Sequence, residues 1–220
     1  MRKNGKKTLL EGIILLAAFT TWTILIQLVD VQPIGQKGTN VGFATFNIWF
    51  HKWTGVHMGI YTITDWLGLV PIFVCMVFGG LGFIQLRKRR SLFKVDCDII
   101  VLGIYYVVVI FGYLIFEMIP INYRPILING YMEASYPSST TLLVLSVMPS
   151  LTYQVKRRMK NKAAIKTISA IVNIFSFGMV MGRLFAGVHW FTDIVGSVLL
   201  SAGLFYMYKA VVLLCVKEDK

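Results

Sequence analysis

"GRLFAGVHWFTD", residues 182–193, joins two stretches that are each apolar enough to cross a bilayer. It sets Arg183 at the end of one and His189 and Asp193 at the start of the next. Ionisable groups at such depth are expensive and tend to mark function. His189 and Asp193 stand four residues apart, so on a helix they share a face, separated by ~40° around the axis. A carboxylate in that position can accept from one imidazole nitrogen, fix the tautomer and leave the other nitrogen free as nucleophile or base. The question is what surrounds the pair.

The 220-residue chain is 56% hydrophobic and 15% charged, a composition suited to a compact polytopic membrane protein rather than a soluble domain. Its formal charge of +12 does not point to nucleic acid, because the basic residues fall in short blocks between apolar runs. Cys75, Cys97 and Cys215 show no metal-ligand spacing and lie in or near apolar segments, which argues against a disulfide framework or a zinc site. The N-terminus pairs a basic head with an apolar run over 9–29; it is longer than a signal-peptide core and has no small-x-small site after it, so it reads as a retained anchor. Five further spans follow, at 66–86, 99–119, 138–155, 165–185 and 189–213, the fourth shorter and rich in Ser and Thr. The fold expected is all-α: one six-span membrane domain over 1–220.

With a cytoplasmic N-terminus, six spans place segments 1–8, 87–96, 156–166 and the tail from Lys209 inside, and these hold 18 of the 22 Lys and Arg. The outer side keeps Lys37, Lys52, Arg124 and Arg183. That asymmetry sets both termini in the cytoplasm. Trp49, Trp53, Trp66 and Trp190 fall at outer boundaries, where indole favours the headgroup level. Within the outer loop of about 32–65, Phe43, Phe46, Phe50 and Trp53 have near-helical spacing. They form either an amphipathic helix on the interface or a lid over the bundle, and the two readings are compatible.

This topology gathers three polar clusters on the outer face, within a motif-bearing half of about 117–197. They are "FEMIPINYRPIL" with Glu117 and Arg124, "SYPSSTTLL" with Ser138, Ser139 and Thr140, and the opening stretch. Arg124 and Arg183 suit an anion, since guanidinium is permanently charged and its donors form a planar fork. Ser138 and Ser139 open a helix, where hydroxyls, backbone N–H groups and the helix dipole add to an anion site. Taken singly, each feature has a bland reading as an anchor, a snorkelling cation or a helix cap. Together they describe an anion-handling site.

The residues resemble those of the type 2 phosphatidic acid phosphatase (PAP2) superfamily, six-helix membrane lipid phosphatases with motifs K-x6-RP, PSGH and SR-x5-H-x3-D. The third matches at Arg183, His189 and Asp193 with Gly182 in place of Ser, and the first at Arg124 and Pro125. "PSST", Pro137 to Thr140, matches the first half of the second. The resemblance implies that His189 attacks phosphorus to form a phosphohistidine, Asp193 orients it, Arg124 and Arg183 hold the phosphoryl oxygens, and Ser138 and Ser139 assist. It implies no metal and no cofactor.

Two positions depart from the family. Its first-motif lysine falls at Glu117, and the histidine that protonates the leaving group falls at Thr140, which is no general acid near neutral pH. Losing acid assistance lowers a rate by about 10²–10⁴. Glu117 is a replacement acid if burial keeps it protonated, and His51 and His57 are others if the outer loop closes over the site. A diphosphate substrate would need the acid less. The resemblance therefore implies a phosphatase or phosphotransferase for lipid phosphates or isoprenyl diphosphates on the extracytoplasmic face. The alternative is a catalytically impaired relative that binds lipid phosphate. The short inner loops suit a bacterial plasma membrane.

Overall fold

The computed structural model describes residues 2–215, and their regular elements are helices: α1 Arg2–Leu28, α2 Ala44–Thr54, α3 Met58–Leu67, α4 Leu69–Arg89, α5 Cys97–Met118, α6 Ser139–Arg158, α7 Lys162–Phe185 and α8 Phe191–Cys215. Five runs are long and apolar enough to cross a membrane: α1, α3 and α4 taken together, α5, α7 and α8. Their outward faces carry large apolar side chains, among them Phe73, Met76 and Phe83 on α4, Phe111 on α5, and Ile174 and Phe177 on α7. An aqueous surface does not tolerate apolar area on that scale, whereas a hydrocarbon environment requires it. The protein is a multi-pass membrane protein.

The count is five where the sequence reading expects six, and the missing one is α6. Its 20 residues reach ~30 Å at 1.5 Å each, enough to cross. What it lacks is apolarity, because it packs against α4, α5, α7 and α8 and sees protein more than lipid. Thr141, Ser146, Ser150 and Gln154 are all buried along it. Ser150 shares a 2.8 Å hydrogen bond with the Tyr106 hydroxyl, and Gln154 donates to the Tyr208 hydroxyl at 2.7 Å. A second correction concerns the outer loop of 32–65: its last part, from Met58, is helical and runs into α4 through Gly68, so the second span begins earlier than 66. Thr64 is buried there, on a helix that packs on α7, and its hydroxyl bonds back to the Ile60 carbonyl at 2.8 Å, which frees the turn from solvent.

The two ends of the bundle differ. At one, Asp98 accepts from Arg158 at 2.8 Å and pairs with Arg157 at 3.6 Å, while Asp96 pairs with Arg89 at 2.7 Å. Burial tends to raise the Asp96 carboxyl, but the hydrogen bonds from Arg89, Gln85 and Arg158 outweigh it and hold the group below its ordinary value. Most of the basic blocks gather here; Lys217 and Lys220, counted with the tail, lie outside the described residues. At the other end, Trp22 donates to the Thr192 carbonyl at 3.1 Å, and the Thr23 and Tyr136 hydroxyls meet at 2.7 Å.

Tyr136 shows how this second end is locked. Its ring stacks on Phe19 at 6.1 Å, meets Phe116 edge-on at 5.7 Å and closes over Gly196 of α8, where a Cβ would lie 2.3 Å from the ring. The ring has nowhere to retreat. Gly196→Ala should destabilise the protein by about 1–3 kcal/mol, the usual cost of overpacking, read as a lower Tm in detergent. An unchanged Tm would mean that the ring can move aside.

Candidate active site

The turn between α7 and α8 exists because of Gly187. Its φ is +70°, and a Cβ there would stand 2.0 Å from the Gly55 carbonyl oxygen. The loop between α2 and α3 clasps this turn: the His57 N–H donates to the Ala186 carbonyl at 3.0 Å, and the His51 ring Nε2 lies 3.0 Å from the Gly187 carbonyl. The His57 Nε2 is 2.9 Å from the Thr54 carbonyl, so both histidines have a ring nitrogen committed to backbone. The segment from α2 to α3 thus folds against the site, while Trp49 and Trp53 on α2 stay exposed.

His189 follows Gly187 in this turn, outside the two spans. Its Nδ1 lies 3.1 Å from the Ser135 carbonyl oxygen and 3.1 Å from the Ser135 hydroxyl. A carbonyl only accepts, so Nδ1 carries the proton and Nε2 has the lone pair. That Nε2 is buried with no partner. Asp193 is 3.8 Å from Nδ1, too long for a direct hydrogen bond; the link runs through Ser135, whose hydroxyl donates to the Asp193 carboxylate at 2.5 Å. Asn122 and the Trp190 N–H also donate to that carboxylate, at 3.0 and 2.8 Å.

Ser135 and Asn122 come from a hairpin-like loop, 122–135, which the sequence reading did not identify. Tyr123 bridges Ala134 and Ile128 bridges Tyr131, around Asn129 and Gly130 at φ 50° and 82°. An Asn-Gly pair is the usual signal for such a turn. The same loop carries Arg124, which pairs with Glu133 across the hairpin at 3.1 Å. Arg183, 1% exposed at its side chain, lies 3.4 Å from the Thr64 hydroxyl and 3.7 Å from an Asp65 carboxylate oxygen. Tyr61 sits under both guanidinium groups, 5.8 Å from that of Arg124 and 4.9 Å from that of Arg183. Nε and one terminal nitrogen of Arg124 and Nε of Arg183 are buried without partners.

Ser138, fully buried, stands before α6; its N–H faces the Asp193 carbonyl at 3.4 Å and its hydroxyl accepts from Thr141 at 3.1 Å. Ser139 and Thr140 open α6 and line the mouth of an apolar groove of about 500 Å³ among α4, α5 and α6. Glu117 is exposed in the last turn of α5 and, among the described residues, makes no hydrogen bond or ion pair. The structure thus gathers His189, Asp193, Arg124, Arg183 and Ser138 in one place, with Ser139 and Thr140 at its edge and Glu117 outside it.

The PAP2 superfamily model matches residues 100–216, more than half of the chain and all of this constellation. The chain belongs to the PAP2 superfamily. No curated protein matches it. Among solved structures, this PAP2 protein is similar to a transmembrane PAP2 type phosphatidylglycerolphosphate phosphatase from Bacillus subtilis, with a TM-score of 0.68 at 15% identity over 95% of this chain and 98% of the other.

Burial pushes the His189 imidazole down to about 4, with the nearby Arg124 and Arg183 charges adding to the effect and the Asp193 link opposing it. The neutral form is the nucleophilic one, so His189 should stay reactive as pH falls past the ordinary value of about 6.5 and lose reactivity only toward about 4. Carbethoxylation of His189, followed by mass spectrometry across pH, measures this directly. Arg124→Gln should move the midpoint upward; a midpoint near that of free histidine in the parent protein would contradict the burial.

Proposed function

We propose that this PAP2 protein is a membrane phosphohydrolase for lipid phosphates or isoprenyl diphosphates, working through a phosphohistidine at His189. The observation that supports it best is the set of buried, unpartnered atoms in this constellation: a lone pair on His189 Nε2 and donors on Arg124 and Arg183. Buried polar groups are rarely left unsatisfied, and a phosphoryl group supplies both the electrophile and the acceptors that this set lacks. In the proposed reaction Nε2 forms a bond to phosphorus while the bond from phosphorus to the leaving oxygen breaks. The guanidinium groups hold the equatorial oxygens, Ser138 and the first amides of α6 add donors, and the imidazolium charge is met by Asp193 through Ser135. Water then attacks phosphorus and releases Nε2. The apolar groove at Ser139 and Thr140 offers a path for one hydrocarbon chain. The concentration of basic residues at the opposite end supports an extracytoplasmic site, and the short inner loops a bacterial plasma membrane.

A second reading rests on Thr140 and Glu117: without the family's acid and lysine, the chain would bind lipid phosphate and turn it over negligibly. Phosphate release from an isoprenyl diphosphate and from phosphatidic acid, beside His189→Ala, separates the two. Release abolished by the variant supports the enzyme; equal, negligible release from both proteins supports the binding protein. In the enzyme, Ser135→Ala removes a charge-assisted hydrogen bond of ~1.5–3 kcal/mol and should lower kcat by roughly 10- to 100-fold, with KM little changed. An unaffected kcat would mean that Asp193 reaches the imidazole without Ser135.

A further inference from the structure

Resting on that reading, we infer that Asp65 protonates the leaving oxygen, the task that Thr140 cannot perform. In-line displacement sets the leaving oxygen across the phosphorus from Nε2. That oxygen carries the hydrocarbon chain, so it faces the apolar groove. Asp65 borders the mouth of this groove together with Ser139 and Thr140. It stands in the last turn of α3, just before Gly68, which packs so closely on α6 that a Cβ there would lie 3.5 Å from the Thr140 methyl. The junction of α3 and α4 therefore brings Asp65 to the same groove as the position whose side chain lacks an acid. Asp65 also lies 3.7 Å from Arg183, so it adjoins the guanidinium that would hold the phosphoryl oxygens.

Of the other candidates, Glu117 at the end of α5 does not line the groove, and the rest are committed elsewhere. The Asp193 carboxylate is enclosed by Asn122, Ser135 and the Trp190 N–H. Glu133 is held by Arg124 within the hairpin, and His51 and His57 each have a ring nitrogen on a backbone carbonyl. Among the described residues the Asp65 carboxylate accepts no hydrogen bond, and its side chain is 59% exposed, so it is free to turn toward a substrate. A phosphate laid on the open Nε donor of Arg183 would stand beside the Asp65 carboxyl group. As the bond from phosphorus to the leaving oxygen breaks, its electron pair stays with that oxygen and takes the Asp65 proton. In the second half-reaction the Asp65 carboxylate accepts a proton from the attacking water while the bond from phosphorus to Nε2 breaks. Both groups return to their starting forms.

The test compares two leaving groups. Phosphatidic acid loses a basic alkoxide and needs the proton; an isoprenyl diphosphate loses a weakly basic phosphate and needs it far less. Asp65→Asn should lower kcat on phosphatidic acid by about 10²–10⁴, with a much smaller loss on the diphosphate. Asp65→Ser should show the same split, which guards against an effect peculiar to one replacement. Adding Thr140→His to Asp65→Asn should recover turnover of phosphatidic acid by supplying an acid at the groove mouth. Equal losses on both substrates would make Asp65 a partner of Arg183 only and overturn the inference, as would unchanged turnover of phosphatidic acid. His189-dependent release that Asp65→Asn leaves intact would overturn this inference alone. A parent protein with no His189-dependent release from either lipid would overturn the phosphatase reading and this inference with it.

Discussion

A carboxylate with no exposure to solvent, that of Asp193, organises the site. A buried anion left without donors is strongly destabilising, so its surroundings must supply them. Three donors do: Asn122 and Ser135 from the two arms of the hairpin, and the Trp190 N–H from the turn preceding α8. Asp193 also lies in the first turn of α8, where the helix dipole favours negative charge. Its own carbonyl faces the Ser138 N–H ahead of α6. Satisfying one charge thus fixes the hairpin, the turn that holds His189 and the start of the helix that lines the groove. The family spacing from His189 to Asp193 is kept, yet the contact between them is relayed through a hydroxyl that the motif does not specify.

The bundle inverts the distribution of a soluble protein, with apolar side chains outward and polar ones along the central helix. α6 runs from Ser138 at the site to Gln154 and Arg158 at the basic end, and its buried hydroxyl and amide groups bond to Tyr106, Tyr208 and Arg158. Directional bonds of this kind hold helices together where apolar contact with a neighbour is no better than contact with lipid. The ion pairs of Asp96 and Asp98 close the far end. The groove among α4, α5 and α6 is lined by Ser139 and Thr140, next to Ser138 of the site.

The apolar runs and the third motif were legible because each rests on local spacing: length of hydrophobic sequence, and a separation of four positions from His189 to Asp193. α6 was read in place and as rich in Ser and Thr, but the partners of its buried polar side chains, Tyr106 and Tyr208, come from packing that hydropathy does not show. Ser135, Asn122, Tyr61 and Asp65 were missed because their importance comes from long-range packing. Ser135 is 54 residues from His189, and nothing in "MEASYP" marks its hydroxyl as special. The tight turn itself was within reach, since Asn129 and Gly130 announce it, but the pairing of Tyr123 with Ala134 is two residues out of register with that of Ile128 with Tyr131 and could not be read from the turn. Glu117 was given weight by alignment to a motif, but the end of α5 leaves it exposed.

That placement changes the electrostatic argument about the family's missing lysine. A glutamate at the lysine's position would oppose phosphate binding if it stood among the phosphate ligands, yet Glu117 pairs with neither guanidinium. The carboxylates that do adjoin the arginines are Glu133 and Asp65, at 3.1 and 3.7 Å. Two buried guanidinium groups that meet one tyrosine ring repel each other in a medium of low dielectric, and a carboxylate beside each offsets that repulsion. Neither carboxylate uses up its arginine, because Nε of both remains unpartnered. An incoming phosphoryl group can therefore bind to open donors first and displace the carboxylates afterward. The open donors of Arg124 and Arg183 therefore remain although Glu117 stands at the motif lysine's position.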